Sequence, residues 1–81
     1  MSPEQRAILM HATGLERSKT SYRNIFAATP ATMDWATCNS LVNLGLMGGP
    51  TRNEGLFGPL EFFYVTPEGY AAIGHPEGEA P

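Results

Sequence analysis

The side chains in this sequence that can do chemistry are few. There is one cysteine, Cys38, and there are two histidines, His11 and His75. A thiol nucleophile needs a histidine and an orienting amide brought beside it. Cys38 instead shares one helical face with Trp35, Leu41 and Val42, and reads as a small buried hydrophobe. His11 lies off the apolar face of its own helix, with Glu4 as the nearest carboxylate at helical spacing, and reads as a surface histidine. His75 falls in a solvated tail. Two distant histidines and one cysteine do not compose a metal site. Gly48-Gly49-Pro50 precedes neither a lysine nor a helix, so it is no phosphate loop. The expectation is a protein without catalytic residues, metal or cofactor.

Binding is the chemistry left. Arg17, Lys19 and Arg23 cluster within seven positions. They read first as a solvated loop, and second as an arm that contacts phosphates or an acidic protein. Asn39 and Asn43 lie outward on a helix with Asp34, Thr37 and Ser40. Asparagine can bind adenine bidentately in the major groove. Yet no Lys or Arg occurs between Arg23 and Arg52, and Asp34 would be repelled by phosphates. Arg52 stands beside Glu54, so it offers little to a minor groove. The competing surface is aromatic. Over residues 60–65 the alternation sends Phe63 and Val65 inward and Leu60, Phe62 and Tyr64 outward, a face that reads either as a protein interface or as one buried under the chain's own tail or a dimer mate. Leu56 and Phe57 interrupt a polar tip, and either fold back on the core or form a knob for a partner.

Composition bounds these readings. The chain has 81 residues and is 42% hydrophobic, which suits one small globular domain. Such a chain seldom both forms a core and carves a pocket. Formal net charge is −3. The first forty residues hold Arg6, Arg17, Lys19 and Arg23 against Glu4, Glu16 and Asp34. The remainder holds Arg52 against Glu54, Glu61, Glu68, Glu77 and Glu79. Nucleic-acid binders usually carry a basic footprint. No apolar run reaches the roughly 20 residues of a membrane span. The start lacks the pattern of a signal peptide, and one cysteine cannot staple a secreted fold. The expected compartment is the cytoplasm.

The elements that must position these residues are legible in part. Ser2-Pro3-Glu4-Gln5 forms a capping box with proline at the first helical position, and Gly14 ends a helix over residues 3–13. Ile8, Leu9 and Ala12 share its apolar face. Residues 16–21 read as a loop, and 22–26 as a short strand or a single helical turn. Asn24 is expected to bond local backbone. Thr32 caps a second helix over 33–44, with Trp35 as the central core residue and Tyr22 and Phe26 as its neighbours. Residues 46–49 and 60–65 read as a hairpin with a long tip. Thr66 caps a helix over 67–73, from which Tyr70, Ala71 and Ile73 pack back. Residues 1–74 form the domain and 75–81 a flexible acidic tail.

The run Leu44-Gly45-Leu46-Met47, the glycine-rich tip and Phe63-Tyr64-Val65-Thr66-Pro67-Glu68-Gly69 together resemble winged-helix domains. The resemblance implies a small α+β fold in which a recognition helix runs into a hairpin wing and the returning strand ends at a capping threonine. The segment between Gly14 and Thr32 departs from it, because a full winged helix carries another helix there. Tyr22-Arg23-Asn24 with Phe26, Cys38, Leu41-Val42, Gly45-Leu46-Met47 and Val65-Thr66-Pro67 is similar to short bacteriophage and prophage proteins. Most such proteins have no assigned activity; the acidic balance, the outward aromatic strip and the missing helix lead to the expectation of a non-enzymatic protein that binds a host or phage protein as a regulator or inhibitor of a larger complex. The alternative is a dimeric winged-helix regulator that binds DNA through Arg17, Lys19, Arg23, Asn39, Asn43 and Arg52.

Overall fold

The computed structural model describes residues 1–55 and 58–74, with the side chains of 53–55, 58 and 59 left aside. The expected tail over 75–81, with His75, and the expected roles of Leu56 and Phe57 lie outside the described residues. The order is α1 (Pro3–Thr13), β1 (Phe26–Ala28), α2 (Met33–Asn43), β2 (Met47–Gly55), β3 (Gly58–Val65) and α3 (Pro67–Ala72). It is a small α+β domain. The three strands form one antiparallel sheet in the order β1–β3–β2.

Each helix begins where its side chains satisfy its first free N–H groups. The Ser2 hydroxyl accepts from Gln5 N–H, and the Gln5 amide accepts from Ser2 N–H. Thr32 accepts from Trp35 N–H and Thr66 from Gly69 N–H. Such caps are each worth about 1 kcal/mol. Gly14 closes α1 in the left-handed region at φ 80°. A Cβ there would also strike the Tyr22 ring, which lies flat on the glycine. Leu44 caps α2 and Ile73 caps α3, so the two helices end at Asn43 and Ala72, each one residue short of the expected end.

Ile8, Leu9 and Ala12 of α1 and Cys38 and Leu41 of α2 pack on Phe63 and Val65 of the central strand. Met47, Ala28, Tyr70 and Ile73 complete this core. Ala71 is exposed and does not join it. Trp35 is not the centre either. It is half-buried at the margin, its ring edge-on to Phe63 at 6.4 Å, and its indole N–H donates to Glu61 Oε1 at 2.7 Å. A fully buried indole would need a partner inside the core, and here the polar edge finds one on the sheet instead. Tyr22 lies over Gly14, and Phe26 sets its ring against His11 at 5.6 Å.

The hairpin is longer than its sequence suggests. The ladder continues from Thr51 opposite Phe62 to Gly55 opposite Gly58, through residues expected to be loop. The register shift between Gly48 and Thr51 is the reason. It takes Gly49 and Pro50 out of the ladder, where proline would leave a hydrogen bond unmade. Gly49 has φ 109°, and a Cβ there would come within 2.7 Å of the Phe62 carbonyl oxygen.

The segment expected at 22–26 as strand or turn becomes strand only at Phe26. Two residues earlier, the Asn24 side chain does the pairing. Its Nδ2 donates to Val65 O at 3.0 Å, and its Oδ1 accepts from Val65 N–H at 2.6 Å. The amide thus imitates a strand backbone, across 41 positions of sequence rather than locally.

Candidate interaction surface

The helices cover one face of the sheet. Phe63 and Val65 point to that side, and the alternation along β3 turns Leu60, Phe62 and Tyr64 to the other. The cross-strand register says what surrounds them. Phe62 stands between Ala27 of β1 and Thr51 of β2, and Tyr64 stands beside Gly48. Continuing the β1 register by one residue brings Ile25 opposite Tyr64. Ile25 is 51% exposed and Tyr64 52%, while Leu60 and Phe62 are half-buried. All the residues at these positions are uncharged. The sequence alternation already turned Leu60, Phe62 and Tyr64 to this face; it did not bring Ile25 beside them. The signal was the antiparallel register, which is available only once β1 is placed.

A Cβ on Gly48 would lie 2.1 Å from the Tyr64 Cζ, so the phenol end of the ring sits over β2 in the room the glycine leaves. An aromatic ring laid over a strand glycine covers backbone that would otherwise be bare.

The residues considered for nucleic acid are dispersed. Arg17 and Lys19 are exposed on the loop after α1. Arg23 is engaged: its Nε donates to His11 O at 2.8 Å and its guanidinium reaches Glu16 Oε1 at 3.3 Å. Its guanidinium carbon also stands 5.2 Å from the Tyr22 ring centre. Asn39 is half-buried and Asn43 exposed on α2, whose last turn holds no basic side chain. Arg52 is exposed on β2, opposite Glu61 in the ladder.

His11 does have a carboxylate partner. Glu16, beyond the turn at Gly14, sets its Oε1 2.7 Å from His11 Nδ1. This His11–Glu16–Arg23 group ties the loop to the end of α1. Behind it, Tyr22 N–H donates to Thr13 O and Ile25 N–H to Ala12 O. The buried Ser21 hydroxyl lies 3.0 Å from both Thr13 O and Arg23 O, and 2.9 Å from the Tyr70 hydroxyl of α3. These bonds fix the path of the chain into β1, and so the position of Ile25.

Cys38 is fully buried, and its thiol is pushed up to about 11 by burial and by the nearby Asp34 carboxylate. Such a thiol is a poor nucleophile. Among the described residues there is no group of three or more His, Cys, Asp or Glu side chains placed to hold a metal. No described helix is long and apolar enough to cross a membrane. No protein-family model, curated protein or solved structure matches the chain.

Proposed function

We propose that the protein is a non-enzymatic binding module that takes a protein partner on the outer face of its sheet. One observation carries this reading: Tyr64 is about half exposed on the sheet face turned away from the described helices, and the β1 register, extended by one residue, puts the equally exposed Ile25 opposite it. The outward positions of an antiparallel sheet with one solvated face are ordinarily polar. Here isoleucine, phenylalanine and tyrosine occupy three of them. Tyrosine brings contact area at low entropic cost and is enriched where partners bind. On this reading Phe62 and Leu60 form the floor of the contact.

The fold we propose is a shortened winged helix. The sheet order β1–β3–β2, the passage of α2 into β2 and the Thr66 cap after the returning strand support it. A single helix then stands between β1 and the wing. The resemblance to short phage proteins makes a host or phage protein in a bacterial cytoplasm the proposed partner.

The test is a comparative pull-down from lysate of the source cells, with Tyr64→Lys and Ile25→Lys as baits beside the wild type. A partner retained by the wild type and by Lys19→Ala, but lost from both outer-face variants, is the expected result. A partner lost only from Lys19→Ala overturns the assignment. Salt-sensitive binding of labelled duplex DNA that survives Tyr64→Lys would also overturn it, in favour of the DNA-binding alternative.

A further inference from the structure

We draw no further inference here: the strongest candidate, the apolar outer face of the sheet around Ile25, Phe62 and Tyr64 together with the free edge of β1, belongs to the surface already described, and nothing in the structure shows what covers it.

Discussion

Replacing Asn24 with alanine tests the most unusual join in the fold. The side chain makes two hydrogen bonds to the Val65 main chain, at 2.6 and 3.0 Å. Val65 is buried, and it is the last residue of the central strand. Each such bond contributes about 1 kcal/mol net, and a stranded buried group costs about 1–3 kcal/mol. The variant should therefore lose about 2 kcal/mol. A domain of this size has a total stability of roughly 4–12 kcal/mol. The loss is thus a large fraction, and should lower Tm by about 8–16 °C. Asn24→Asp keeps an acceptor for Val65 N–H but sets a carboxylate against Val65 O, so it should recover little of the loss. Urea unfolding followed by Trp35 fluorescence is a suitable assay, because the indole is bonded to Glu61 on the same strand. An Asn24→Ala stability within about 0.5 kcal/mol of wild type, the range of an ordinary surface substitution, would refute the idea that this amide stands in for a strand.

Two glycine substitutions should differ in outcome. Gly69→Ala drives a Cβ to 2.1 Å from the Leu46 carbonyl oxygen, a main-chain atom, whereas the atoms nearest a Cβ on Gly48 belong to the Tyr64 side chain, which can turn away. Thermal melts should show Gly69→Ala losing about 2–3 kcal/mol and Gly48→Ala less, and equal losses would contradict the geometry. Native Cys38 should resist a thiol reagent at pH 8 and react once urea unfolds the chain; rapid native labelling would refute its burial. The same thiol gives a pH prediction. Its folded value, about 11, lies above its ordinary value of 9.0, so the unfolded chain loses this proton first as pH rises. The Cys38 contribution to stability should be flat below pH 9 and fall between about pH 9 and 11, and Cys38→Ala should remove that part of the decline. Ser21→Ala removes a buried hydroxyl shared by Thr13, Arg23 and Tyr70, and should cost about 1–3 kcal/mol in urea unfolding.

What the sequence made legible is what its physics keeps local. The Ser2–Gln5 box, the Thr32 and Thr66 caps and the Gly14 stop each involve residues within a few positions, and each stands where the pattern puts it. The inward turn of Phe63 and Val65 follows from period-two alternation, which is equally local. Bonds that close over distance were not legible. Asn24 meets a main chain 41 residues away, and nothing in Tyr22-Arg23-Asn24 announces that partner. Glu16 reaches His11 only because the chain reverses at Gly14. The length of β2 was hidden by Gly49 and Pro50, since a bulge that lifts two breakers out of a ladder looks in sequence like the end of a strand. Trp35 misled by its size: a large indole at the heart of a small core would need a polar partner there, and Glu61 supplies one only at the margin.

The outer face also has a purely structural use, and the two uses separate physically. Tyr64 covers Gly48, so part of its aromatic surface already stabilises the hairpin. Covering a glycine requires a flat hydrophobic side chain, but it does not require Ile25 beside it. Ile25 reaches that place because Asn24 pairs with Val65 and because Ile25 N–H is bonded to Ala12 O. Solvent exposure of an isoleucine so firmly placed contributes little to folding, since only burial of apolar area is favourable. A lysine at position 25, whose aliphatic stem can still cover the half of the site that is buried, should therefore cost less stability than alanine at position 64, which uncovers Gly48 and weakens the hairpin. Loss of a partner on Ile25→Lys with stability intact would then report recognition alone, freed from the structural duty that Tyr64 also performs.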